Sequence, residues 1–188
     1  MVDGPFLMSV EDVFCLRQGR VVMVSGRIER GRLRKGDAVE IVGSGGGATH
    51  PVEGIERNQV YVDEASADAN VGVLLSGAAV GVVERGRVLA APGSVFAYGG
   101  FVADIALLSE EAGGADVVSG DRLLFFIRTA AVWGIVTLPE GTGTLRPLHG
   151  SRVSVALDGP VALEPGQSFA FRHHGRAAGS GTVTRLPR

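Results

Sequence analysis

Short runs of β-branched and aromatic residues, each closed by glycine, aspartate or asparagine, recur along the whole chain. "EDVFCL", "RVVMVSGRI", "DAVEIVG", "NQVYVD", "VGVLLSG" and "VVERGRVLA" follow one another in the first half. "VFAYGGFVADIALL", "DRLLFFIRTAAVWGIVTL", "SRVSVALDGPVAL", "SFAFRHH" and "GTVTRL" fill the second. Such runs suit a pleated, half-buried surface, and the residues that end them supply turn geometry. No window holds a helical period between capping residues. Short strands at this spacing point to barrels or sandwiches. The 29 glycines follow no fixed period, which fits many turns joining many strands.

"LAAPGSVFA", residues 89–97, interrupts the pattern near the midpoint with a Pro-Gly turn. The domain boundary is placed there, giving one barrel over 1–95 and a second over 96–188. "GSGGGATHP", residues 43–51, reads as a flexible hairpin tip. The two halves share no internal repeat.

A net charge of −2 excludes a chain that coats nucleic acid by bulk electrostatics, so any RNA site must be a local patch. The densest cluster of cations is "GRIERGRLRKGDAVEIVG", residues 26–43, which holds Arg27, Arg30, Arg32, Arg34 and Lys35. Alternation puts Ile28, Val39 and Ile41 on one face and the charges outward or at a turn. Two readings stand side by side. The stretch is a solvated hairpin partly neutralised by Glu29, Asp37 and Glu40, or Arg32, Arg34 and Lys35 contact an RNA backbone.

Several chemistries are excluded. Lys35 is the only lysine, and Gly36 and Asp37 follow it, so the phosphate-cradling G-x-x-x-x-G-K-[ST] loop is absent. The only asparagines are Asn58 and Asn70, and neither precedes a lysine, so a guanine-reading Asn-Lys-x-Asp element is absent too. Adjacent strand residues point to opposite faces, which makes His173 and His174 a poor chelating pair and places them at the surface. Cys15, alone, excludes an internal disulfide and a multi-cysteine zinc site, and reads as a small buried hydrophobe. A nucleophilic pair with His50 or His149 would need a proximity that nothing in the sequence indicates. The expectation is a protein without catalytic residues, cofactor or metal. No apolar run reaches membrane-spanning length, and the N-terminus does not look like a leader, so a cytoplasmic setting is expected.

"GPFLMSVEDVFCLRQGRVVMVSGRIERGRLRKGDAVEIVG" resembles the start of the second domain of bacterial elongation factor Tu. That family reads P-F-L-x-P-I-E-D-V-F, then G-R-G-T-V-V-T-G-R-V-E-R-G. The resemblance continues through "ANVGVLLSG" and "VVERGRVLAAPGSV". "LLSEEAGG", "FFIRTAAVWGIVTLPEG" and "PVALEPGQSFAFRHHGRAAGSGTVT" are similar to the third domain in order and spacing. The resemblance spans residues 4–186. It implies two consecutive β-barrels in an all-β chain that begins near where that family's GTPase domain would end.

The resemblance also implies a site for the aminoacyl 3′ end of tRNA. The family's acidic pair and aromatic fall on Glu11, Asp12 and Phe14, and the threonine of its T-V-V-T-G loop falls on Ser25. Its 2′-hydroxyl-binding glutamate falls on Glu56, and the asparagine lining the aminoacyl pocket on Asn70. A carboxylate accepts a hydrogen bond from a ribose 2′-hydroxyl, and an aromatic offers a wall to a base. Read from the residues alone, the same positions serve equally as strand starts, core and turn cap. Departures weaken the match: Gln59 stands where the family has a basic residue, and Ala115 and Asp116 replace an Arg-His pair. Arg172 and Arg176 remain as candidate backbone contacts. Three readings are therefore carried forward. One is a non-catalytic module that binds aminoacyl-tRNA or ribosomal RNA weakly, without GTP hydrolysis. Another is a module that docks a separately encoded GTPase or translation-factor partner, with RNA binding lost. The third is a fragment or decayed paralogue with no ligand.

Overall fold

The computed structural model describes residues 3–43 and 47–188, so the centre of the expected glycine-rich tip, 44–46, lies outside the described residues. The chain divides into two compact units, one ending at Phe96 and the other beginning at Ala97. Both are built from strands, and the only helical pieces among the described residues are two single 3₁₀ turns, Arg17–Gly19 and Gly77–Ala79.

The first unit contains β1 (Leu7–Leu16), β2 (Val21–Arg30), β3 (Arg32–Arg34), β4 (Ala38–Val42) and β5 (Thr49–Pro51). It continues with β6 (Gly54–Arg57), β7 (Val60–Val62), β8 (Glu64–Ser66), β9 (Asn70–Ser76) and β10 (Val88–Ala90). Eight of these pair in the order β5-β4-β10-β1-β2-β9-β6-β7, and β3 and β8 form a separate ribbon. The sheet wraps one core in which Met8, Val24, Ile28, Ile41, Ile55 and Leu75 are fully shielded, and Leu33 of the ribbon closes it. Ile28, Val39 and Ile41 all turn inward, as alternation requires. The run "VVERGRVLA" is strand only from Val88: Gly86 adopts φ +94°, and Arg87 donates to Glu84 at 2.9 Å across the preceding turn.

One irregularity sets the register. Val10 lies opposite Gly26 but Asp12 lies opposite Ser25, so Glu11 is an extra residue, a β-bulge. The strands come so close there that a Cβ on Gly26 would stand 2.0 Å from the Ser9 carbonyl oxygen. Only glycine fits. Val10 and Val13 consequently both pack toward the core, and Asp12 and Phe14 face out.

The second unit contains β11 (Phe96–Leu107), β12 (Arg122–Ile127), β13 (Ala130–Thr137), β14 (Gly150–Leu163), β15 (Ser168–His173) and β16 (Arg176–Arg185). They close into a barrel in the order β11-β14-β13-β12-β15-β16, which removes free edges. Phe101, Phe125, Phe169 and Phe171 fill it. Phe125 meets its three neighbours at centroid distances of 6.0, 5.7 and 5.9 Å. Edge-on aromatic packing adds to the burial of these rings.

Truncating the ring at the centre of this cluster tests the packing. Phe125→Ala should destabilise the second barrel by about 3–5 kcal/mol, through lost burial and the cavity left behind. Trp133, the only tryptophan, lies on β13 and reports this barrel in a urea titration. A loss below about 1 kcal/mol would mean the cluster does not hold the barrel.

Candidate functional site

The β1–β2–β9–β6–β7 pairings line up residues from distant parts of the chain. Asp12 pairs with Ser25, Ser25 with Gly72, Gly72 with Glu56, and Glu56 with Tyr61. All five lie on one row running across the outer face, and Asp12 and Glu56 sit three strand spacings apart, about 14 Å. A parallel row holds Phe14, Met23, Leu74 and Gly54. On the other side, Arg27 pairs with Asn70 and binds Asp68 at 2.7 Å.

The middle of the row is Gly72, which has no side chain. A Cβ on Gly72 would lie 2.9 Å from the Met23 sulfur and 3.8 Å from the Glu56 Cβ, so the Met23 side chain lies over this glycine and Glu56 stands beside it. Phe14 is 47% exposed and is therefore a wall, not core. Among the described residues, no hydrogen bond or ion pair engages the side chains of Asp12, Ser25, Glu56 or Asn70. These are uncommitted polar groups beside an apolar row. Next to Leu74, a cavity of about 280 Å³ opens between Arg17, Lys35, Glu53 and Tyr61.

The structure brings Asp12, Phe14, Ser25, Glu56 and Asn70 onto one face and leaves Glu11 out. Glu11 is the bulged residue, and its carbonyl accepts a hydrogen bond from Arg85 at 2.9 Å. Sequence reasoning missed Met23, Leu74 and Tyr61. Tyr61 reaches the row because Asn58 and Gln59 form a two-residue hairpin with φ +52° and +64°. Such turns usually carry glycine, so "NQ" gave little signal. Gln59 sits in that turn, and Arg57 falls on the face opposite Glu56.

Arg32 and Arg34 lie on the outer side of the β3–β8 ribbon, at 3.8 and 3.1 Å from the same Glu64 carboxylate. Glu64 is thus their shared counter-ion. Of the expected neutralising residues, Asp37 instead accepts from the Arg34 backbone N–H at 2.8 Å, and Glu40 accepts from the Gly93 N–H at 2.8 Å. Glu29 accepts from the Ser9 hydroxyl at 2.5 Å. The ribbon keeps the two arginines exposed but half-neutralised, and Lys35 lines the cavity.

Two expectations are corrected. Cys15 is exposed, because burial lapses toward the end of β1, where Phe14 and Cys15 are both open to solvent. His173 is buried rather than at the surface, and its ring stacks on His174 at 3.9 Å. Alternation along β15 itself puts His173 inward behind Phe169 and Phe171, and His174 leaves the strand at φ +52°. Arg172 lies over Phe126 at 5.4 Å, and Arg176 is exposed at the start of β16.

Two family models match the chain: elongation factor Tu domain 2 over residues 22–90 and the elongation factor Tu C-terminal domain over residues 94–187. The chain belongs to the elongation factor Tu family. As an elongation factor Tu-like protein it carries Ser25, Glu56 and Asn70 inside the first matched segment. Asp12 and Phe14 precede that segment and join the site through β1–β2 pairing.

The buried histidine gives the second barrel a pH dependence. Burial, and then the neighbouring His174, hold the His173 imidazole below its ordinary value, against the opposing pull of Asp121 at 3.6 Å. The unfolded chain takes up this proton at about pH 6.5 and the folded barrel only at lower pH. Stability is therefore complete above about pH 6.5 and falls as the pH drops below it. The urea midpoint read by Trp133 should decline more steeply between about pH 7 and pH 5 in wild type than in His173→Gln. Equal slopes would contradict this account of the histidine.

Proposed function

We propose that the outer row of the first unit binds the aminoacylated 3′ end of tRNA, in a non-catalytic, elongation factor-like protein that hydrolyses no GTP itself and works in the cytoplasm. One observation supports this reading: Asp12, Ser25 and Glu56 line a single row, uncommitted among the described residues, with Met23 lying over Gly72 between them.

The chemistry matches the ligand. Glu56 accepts from a ribose 2′-hydroxyl, the group that separates RNA from DNA. Asp12, at the far end, accepts from the α-ammonium of an esterified amino acid, and Asn70 offers an amide donor and acceptor. Phe14 and Met23 form the apolar wall, and the cavity beside Leu74 and Tyr61 gives the terminal base a place to stack. Arg176 supplies a weak phosphate contact on the second unit, where Ala115 and Asp116 offer none. The Arg32, Arg34 and Lys35 group adds a nonspecific backbone attraction reduced by Glu64.

Binding of aminoacyl-tRNA and of the same uncharged tRNA, each at two salt concentrations, tests the reading. Charged tRNA should bind more tightly, and Glu56→Ala should erase about tenfold of affinity, the worth of one good hydrogen bond to a charged group. Gly72→Val, which displaces the Met23 side chain from the row, should abolish the preference while both barrels stay folded. Equal and strongly salt-dependent binding of both tRNAs, unchanged by Glu56→Ala, would reduce the site to generic arginine contacts. Absence of binding at either salt would remove RNA and favour the docking of a separate GTPase or translation-factor partner.

A further inference from the structure

Barrel strands alternate apolar-in with polar-out, and one side of the second unit departs from that rule. On β12, Leu123, Phe125 and Ile127 point into the core, and on β13 Gly134 and Val136 are buried. The residues between them, which face out, are Leu124 and Phe126 on β12 and Ala131, Trp133 and Ile135 on β13. None carries a polar group except the indole N–H. Trp133 is 45% exposed and Ile135 43%. A contiguous apolar patch of this kind on an outer face marks an interaction surface.

Its charges stand at opposite borders. Leu124 pairs with Trp133 on one side and with Arg172 on the other. On the strand beyond Trp133, Gly134 pairs with Leu157, which sets Asp158 next to Trp133. The row therefore runs Asp158, Trp133, Leu124, Arg172: acid, two apolar residues, cation. Arg122 binds Asp158 and lies 5.4 Å from the Trp133 ring centre. Arg172 lies over Phe126 and makes no ion pair among the described residues.

A row with that order complements itself. Turned over about a two-fold axis running along the strands, Asp158 of one copy meets Arg172 of the other at both ends, and Trp133 meets Leu124 in the middle. An isologous contact requires this kind of self-complementarity. We propose that the outer face of β12 and β13 packs against the same face of a second copy of this chain. The Asp158 carboxylate has acceptor capacity for Arg172 in addition to Arg122. A single strand of RNA stacked on Trp133 is the poorer fit, because such platforms need cations tracking the phosphates and Arg122 is already committed to Asp158.

Sedimentation of the full chain over a concentration series reaching about 1 mM, with Trp133 emission read on the same samples, tests this. The mass should double as concentration rises, and the emission should shift to the blue as the indole leaves water. Arg172→Asp alone and Asp158→Arg alone each set like charges face to face and should weaken association by about tenfold or more. An equimolar mixture of these two variants restores an acid opposite a cation at both ends and should recover the dimer. A chain that stays monomeric throughout, a dimer indifferent to both reversals, or a mixture that remains monomeric would each overturn the proposal. So would a monomer whose Trp133 emission is quenched by an oligouridine, which would give the face to RNA.

Discussion

The close approach of β1 and β2 at Gly26 is the constraint on which the candidate site depends. With no side chain at Gly26, the Ser9 carbonyl lies where a Cβ would be, and the strand accommodates Glu11 as a bulge. Without that extra residue, the alternation that buries Val10 would put Asp12 inward and expose Val13, because a one-residue slip exchanges the two faces of a strand. The bulge lets the same strand bury Val10 and Val13 and present Asp12 and Phe14 to solvent. Regular pairing from β2 through β9 to β6 then carries the row to Ser25, Gly72 and Glu56.

Stability and the proposed recognition are thus divided between the two faces of one sheet. The inner face is closed by Leu33 and by residues such as Ile28, Ile41 and Ile55, none of which reaches the row. The outer face keeps Gly72 beneath Met23 and a border of polar groups that no side chain among the described residues satisfies. A polar group exposed to water loses little by waiting for a ligand, whereas the same group buried without a partner costs free energy. The second barrel shows the contrast. His173 is buried with its Nδ1 unpartnered, and the consequence is acid sensitivity.

Much of the fold was legible in the sequence because strand period and turn residues are local signals. Alternation placed Ile28, Val39 and Ile41 correctly, and the recurrent Gly, Asp and Asn turns announced an all-β chain. Where the reading failed, two different causes were at work. Gly86 ended the regular pattern ahead of Val88, whereas His173 followed the alternation of β15 inward although its side chain is polar. The candidate residues of the row were named through resemblance, but their assembly on one face was not legible. Register across four strands is a long-range property, and Tyr61 enters through a two-residue turn whose residues rarely make one. The basic stretch at 26–43 misled in a different way. Glu64 on β8, the counter-ion of Arg32 and Arg34, and Asp68, that of Arg27, lie beyond the reach of any argument from neighbours in sequence.

The most direct test of the central claim is an amide NMR titration of the full chain with a short CCA oligonucleotide carrying an esterified amino acid. If the outer row is the binding site, the shifts concentrate at Ser25, Gly72 and Glu56 and extend to the Asp12–Phe14 segment, with the ribbon arginines little affected. Shifts confined to Arg32 and Arg34, or to Arg172 and Arg176, with Gly72 unmoved, would contradict it.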